Sequence, residues 1–358
     1  MNKEITKHRF EEEKKSLIQF HERTKRIIPV NQYLNKFNWA FVHPYMIGAE
    51  IDHFAELAKT KTGTKDGIFQ FIANSFFDLS STAVLIDGFF KKRESLRPFC
   101  HLIDQSVFMC LERDYAGAIN SLLPVIEGSI RHYLVNMVGR KNESIMKTEE
   151  LLKIFPHLKQ DILKRYANGY KNEYPKYFTG VAFDASQIKH LVKLQSYPLD
   201  IWISVIKDYF ENNLYLDTRT GVVEDKLNRH SIFHGFSGEI YYNLENYLKV
   251  FYCINFLSYI YGQADKNIHA LTELERSDVD YKWKAFEKVK AISDSMKNIK
   301  SSVYEKYSEF NRKEFEKDLI RTKMDRAVAK FPHMESKLKF IDNIIDLANE
   351  SDKKRRKK

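Results

Sequence analysis

The chain is poor in the residues that make turns, with 13 glycines and 8 prolines in 358 positions. Such sparse punctuation excludes a sandwich or barrel of short strands, which needs a tight connection about every ten residues. Its three cysteines, Cys100, Cys110 and Cys253, are widely spaced and form no CxxC pair. An odd number without paired spacing excludes a disulfide framework and a cysteine zinc site, and fits buried thiols in a reducing cytosol. Long apolar runs are also missing. The longest strongly apolar stretch, residues 250–262, has 13 positions and is interrupted by Asn255 and Ser258, whereas a membrane span needs about 20 apolar residues. The first 13 residues are charged throughout and lack the apolar segment of a signal peptide. The expectation is a cytoplasmic protein with no membrane partner.

What is present is apolar and aromatic surface, at 43% and 14% of the sequence, enough for a sizeable core and about two domains. The net charge of +10 is unevenly placed. The last eight residues, SDKKRRKK, carry six basic side chains and one acidic one, and residues 264–350 are balanced at 18 basic to 17 acidic. Only +4 is left for residues 1–263, too little to announce a general nucleic-acid coat.

Helical spacing dominates. After an irregular start around Pro44, apolar residues recur at Ile47, Ile51, Phe54 and Leu57. The loop KTKTGTKDG that follows has Lys, Thr and Gly but lacks the order of a phosphate-binding loop. A longer helix is predicted over residues 114–138, where Ile119, Leu122, Leu123, Ile126, Ile130, Tyr133, Leu134 and Met137 share one face. Pro124 and Gly128 interrupt it, predicting a kink or a fresh start at the proline. Glu127 and Arg131 flank the buried stripe four residues apart, the spacing of a surface ion pair. Residues 141–198 read as a polar insertion of short helical pieces. Helical periodicity resumes at residues 199–215 through Ile203, Ile206, Phe210 and Leu214, and residues 239–261 are apolar on most sides, the mark of a helix central to a bundle.

From Trp283 the row Phe286, Val289, Ile292, Met296, Ile299 and Val303 advances in steps of three and four, close to a heptad seam. An antiparallel hairpin covering the bundle and an intermolecular coiled coil both satisfy it. The expected organisation is therefore all-α: an N-terminal helical region at 1–74, a helical bundle at 75–262, a helical extension at 263–350 and a disordered basic tail at 351–358.

One neighbourhood concentrates groups suited to chemistry: Asn228, Arg229, His230, Ser231, Ile232, Phe233, His234 and Gly235. A separation of five turns two side chains about 140° apart on a straight helix, so Arg229 and His234 meet one ligand only if the chain bends. Gly235 and Gly238 permit such a bend past a helix end. Arginine offers a fixed fork of donors to two phosphate oxygens, and histidine exchanges protons near neutrality. Together they suit phosphodiester cleavage without a metal or other cofactor. Two further readings stay open. His230 and His234, four apart, could share a metal, although no third ligand accompanies them in a zinc pattern. Alternatively, His234 caps a helix C-terminus while Arg229 pairs with Asp225, which spacing alone favours.

The stretch 228–235 resembles the Rx4-6H motif of the HEPN superfamily, compact helical bundles that include many metal-independent ribonucleases of prokaryotic toxin, abortive-infection and CRISPR-associated systems. Here the motif is Arg229, four residues, then His234, with His230 at the polar position after the arginine. The layout is similar too: an apolar helix, AINSLLPVIEGSIRHYL, stands about a hundred residues upstream of the motif. The resemblance implies an RNA substrate, a homodimer with a composite cleft, catalysis by Arg229 and His234, and support from Asn228, His230 and Glu127. It further implies restraint by a regulatory partner or a phage-derived trigger. The HxY extension of some two-component HEPN toxins is absent, since Gly235 and Phe236 follow His234. Two other classes are compatible with the sequence: an inactive helical adaptor for dimerisation and RNA or protein binding, and an anionic-surface binder driven by the tail.

Overall fold

A computed structural model of the chain describes residues 2–39, 48–60, 65–140, 151–215, 232, 241–264 and 276–307. Among these residues the secondary structure is helical throughout, with no strand, so the protein is all-α. The helices are α1 (Asn2–Lys25), α2 (Ile27–Asn35), α3 (Gly48–Thr60), α4 (Lys65–Phe77) and α5 (Leu79–Val84), which runs on as a π-helical turn, Leu85–Phe90. There follow α6 (Cys100–Leu111), α7 (Tyr115–His132), α8 (Ile154–Asn168), α9 (Ala185–Tyr209), α10 (Leu244–Ala264) and α11 (Arg276–Tyr307). The chain divides into two compact units, Met1–Ala291 and Ile292–Lys358.

The first unit is organised around α10. Every residue from 246 to 258 is buried, as expected of a helix apolar on most sides. It packs against α7, α8, α4 and the π-helical turn. Aromatic rings fill the space on one side: Phe251 meets Phe76 edge-on at 5.1 Å between centroids, with Phe90, Tyr247 and Tyr252 all within 6.1 Å of it. Edge and tilted arrangements of this kind are the favourable geometries for ring quadrupoles. The core extends from Ile27 and Leu34 on α2 to Phe286 on α11. A second, smaller core joins α1 to α9 through Leu17, Tyr170, Val181, Phe183 and Leu191.

Helix ends are set by local chemistry. Asp114 caps α7 by accepting from the Gly117 amide at 2.9 Å. Between α6 and α7 the chain turns through Arg113, whose φ of 67° is left-handed, and Asp114 donates its amide back to the Met109 carbonyl at 2.8 Å. Asn38 ends α2 in the same left-handed conformation, one that asparagine tolerates better than most residues. At α9 a full capping box forms, in which the Asp184 carboxylate accepts from the Gln187 amide at 2.8 Å and the Gln187 side chain accepts from the Asp184 amide at 3.0 Å. Asp184→Ala is expected to cost about 1 kcal/mol, read as a lower urea midpoint at unchanged slope.

Several expectations need revision. The helix at 114–138 does not restart at Pro124: α7 runs from Tyr115 to His132 with the proline inside it on the exposed side, and a π-helical turn, Tyr133–Met137, follows. Gly128 lets this helix approach Phe99 closely, since a Cβ there would stand 2.6 Å from the ring. The described part of the expected polar insertion is built into the core. Ile154, Phe155, Leu158 and Ile162 of α8 are buried in the main cluster, because their apolar spacing persists beneath polar neighbours. The helix expected from residue 199 begins at Ala185 and passes through Pro198, started by the Asp184 cap.

The seam after Trp283 is one helix, α11, as far as Tyr307, with Phe286 buried, Val289 packed on the core and Ile292 exposed. Residues 308–358, including the end of the extension and the basic tail, lie outside the described residues.

Candidate functional site

Of the residues singled out from sequence, Asn228, Arg229, His230 and His234 lie outside the described residues. One member of the same stretch is described. Ile232 is 3% exposed and belongs to the main core. It stands three residues after Arg229 and two before His234.

Glu127 lies on α7, half-buried beside the core stripe of Ile126 and Ile130. Its Oε2 is 3.9 Å from Nη2 of Arg131, the expected i, i+4 pair at the loose end of ion-pair distance. On the other flank of the stripe, Ser129 Oγ is 3.3 Å from the Tyr261 hydroxyl, and Tyr133, in the π-helical turn that follows, stacks on Tyr261 with centroids 5.7 Å apart. Tyr133 donates to Asp161 Oδ2 at 2.7 Å. A polar thread thus runs from α7 to α8 and α10 through an otherwise apolar contact.

Buried charges are the feature that sequence reading missed. Lys249, 4% exposed, sits inside the apolar α10, pairs with Glu245 at 2.8 Å and lies 5.2 Å from the ring centre of buried Trp39. A lysine in the middle of a helix apolar on most sides was the available signal. The pair and the ring together compensate the cost of removing its charge from water.

A second group joins the π-helical turn to α11. The Asp87 carboxylate is 2.5 Å from Nζ of Lys91 and 3.1 Å from Nζ of Lys282, and Lys282 also donates to Asp104 on α6. Asp87 and Lys282 are both buried. The Asp87 carboxylate favours the charged form of Lys91 strongly enough to raise its ammonium's pKa despite partial burial. This cluster fixes the start of α11 against the bundle. Asp87→Ala leaves Asp104 as the carboxylate beside Lys282 and is expected to cost about 2 kcal/mol, measured by equilibrium urea unfolding, with Asp87→Asn costing less.

The end of α10 is held by two arginines. Arg165 Nη1 donates to the Gly262 and Gln263 carbonyls at 2.7 and 2.8 Å, satisfying groups a helix terminus leaves open. Buried Arg93 donates Nε to the Ser258 carbonyl at 3.1 Å and lies over Gly262, where a Cβ would come within 2.5 Å of its guanidinium carbon.

Cys100, Cys110 and Cys253 are all free and buried. Burial pushes the Cys100 thiol up to about 12 and raises the other two further, so none is a thiolate nucleophile near neutral pH. Among the described residues no group of three His, Cys, Asp or Glu side chains could hold a metal ion. No single helix among them is long and apolar enough to cross a membrane.

These features define an all-α protein built on one buried central helix, with a buried lysine–glutamate pair on that helix and arginine-to-carbonyl hydrogen bonds at its C-terminal end. No protein-family model, curated protein or solved structure matches the chain.

Proposed function

We propose that the protein is a metal-independent endoribonuclease of the HEPN type, cutting RNA at a composite site between two copies of the chain and acting in antiphage defence by abortive infection. The observation that supports this reading most directly is Ile232. It is the one described residue of the RxxxxH stretch and belongs to the main core, which supports a site whose arginine and histidine are carried on a rigid scaffold. The all-α architecture and the largely buried helix that follows the motif agree with it.

The chemistry follows from the two side chains. The ribose 2′-oxygen bonds to phosphorus while its proton passes to one His234. The bond from phosphorus to the 5′-oxygen breaks, and the His234 of the second copy protonates that leaving oxygen. The Arg229 guanidinium stabilises charge on the pentacoordinate phosphorus group. The products are a 2′,3′-cyclic phosphate and a 5′-hydroxyl. Glu127 is a polar partner that orients Arg229 or His234.

Expression in a bacterial host tests the reading. The wild-type chain is expected to arrest growth once triggered, and Arg229→Ala and His234→Ala are expected to release it. If both variants are as toxic as wild type, and the purified dimer leaves single-stranded RNA and tRNA uncut under every activating condition, the protein is a helical adaptor instead.

A further inference from the structure

A cavity of about 500 Å³ opens between α1, α8, α9 and the last turn of α10, and none of the residues assigned to cleavage is among its lining. Its size is that of a small-molecule site, and its lining is polar in a specific way. Tyr166 donates its hydroxyl to Gln263 Oε1 at 2.9 Å, which leaves the Gln263 amide nitrogen as a donor. Gln195 donates its amide to the Tyr170 hydroxyl at 3.4 Å, which leaves the Gln195 carbonyl as an acceptor. Tyr170 in turn donates to Glu13 Oε1 at 2.9 Å. The carboxamides are therefore oriented before any ligand arrives, one presenting a donor and the other an acceptor.

The remaining lining supplies what a planar anionic molecule requires. The Tyr166 ring and the Phe20 ring, the latter 42% exposed, offer flat apolar surface. Arg23 is the only basic side chain in the lining. Its neighbours Lys25 and Arg26 are engaged by Glu22 and Asp52, whereas Arg23 takes part in no ion pair among the described residues. A guanidinium of this kind is matched to a phosphate by its fork of donors.

We propose that this cavity binds an adenine mononucleotide. The adenine edge, one acceptor nitrogen beside one amino donor, is complementary to the Gln263 donor and the Gln195 acceptor, the same logic by which carboxamides read adenine in nucleic acids. The second oxygen of Glu13 accepts from the ribose, and Arg23 holds the phosphate at the mouth. The site is independent of the RNA-cleaving role, since it uses none of the residues assigned to that chemistry.

The test is calorimetric titration of the full chain with adenosine 5′-monophosphate, with adenosine and inorganic phosphate as controls. It is repeated in the Arg229→Ala/His234→Ala double variant, to separate this site from any nucleotide held as a cleavage product. Binding is expected to persist in that background, to weaken about tenfold or more in Arg23→Ala, and to weaken similarly in Gln263→Leu. Arg23 is exposed on α1, and circular dichroism verifies that each variant is folded. Adenosine is expected to bind more weakly than the monophosphate. Failure of the monophosphate to bind at millimolar concentration overturns the proposal. So does binding that is unchanged in both folded variants, or that disappears in the Arg229→Ala/His234→Ala background.

Discussion

RNA cleavage by Arg229→Ala and by His234→Ala is expected to fall at least about a thousandfold relative to the wild-type chain, within the range that general acid–base catalysis and electrostatic stabilisation each supply. In the proposed mechanism His234→Ala removes the group that moves protons at both oxygens. In the same mechanism Arg229→Ala removes the permanent positive charge that would meet the phosphorane. In the proposed composite cleft both copies contribute, so every site in a variant dimer would be deficient twice over. Arg229→Lys separates charge from geometry: it keeps a cation but loses the two-pronged fork, and is expected to recover only a small part of the rate. Neither substitution should change the urea midpoint substantially, so the loss is read at constant fold. His230→Ala is expected to have a far smaller effect, which distinguishes a single catalytic histidine from a metal pair at His230 and His234.

The largest expected effect on stability comes from Phe251→Ala. Its ring is fully buried at the centre of α10, edge-on to Phe76 and packed with Phe90, Tyr247 and Tyr252. Truncation removes the transfer free energy of the ring and leaves a hole lined by side chains that are themselves locked, so little collapse can recover the loss. The expected cost is about 3–5 kcal/mol, a large share of the roughly 5–15 kcal/mol by which domains are stable. Phe251→Leu fills much of the space and is expected to cost less than half as much. Urea unfolding followed by far-ultraviolet circular dichroism measures both, and equal, small shifts for the two variants would show that this aromatic cluster is not the centre of the core.

Much of this architecture was legible in the amino-acid pattern. The face shared by Ile119, Leu122, Leu123, Ile126 and Ile130 is the buried face of α7, and the helix apolar on most sides is the central one. Periodicity reports burial directly, because a helical stripe that is apolar has nowhere to go but the interior. Polar punctuation was less dependable. Pro124 and Pro198 both sit inside helices, since tertiary packing outweighs the loss of one backbone donor. Lys153, Lys159 and Lys164 gave the α8 region a polar appearance that concealed the stripe of Ile154, Phe155, Leu158 and Ile162. Asp184 and Gln187 spelled a capping box in the sequence and marked the true start of α9.

The candidate site divides differently. The RxxxxH stretch suits phosphodiester chemistry by its residue types, but its catalytic roles rest on the resemblance to the HEPN motif, and of that stretch only the burial of Ile232 is described. Glu127 occupies the flank of the core stripe that its helical angle required, with Arg131 as its neighbour. The Asp87, Lys91, Asp104 and Lys282 cluster could not be anticipated, because its members come from three segments up to 195 residues apart and no local pattern links them. The Tyr166, Gln195 and Gln263 lining has the same origin. Each residue is ordinary in its own helix, and only packing brings their polar ends together.

The central claim is that one arginine and one histidine cut RNA without a metal, and end-group analysis of the products tests it most directly. Purified wild-type protein, activated and held in excess EDTA, is incubated with single-stranded RNA and tRNA, and the new termini are identified by mass spectrometry. The account predicts cleavage that EDTA leaves intact, with 2′,3′-cyclic phosphate and 5′-hydroxyl ends that are absent from reactions with His234→Ala. Cleavage abolished by EDTA, or products bearing 5′-phosphate and 3′-hydroxyl ends, would contradict it.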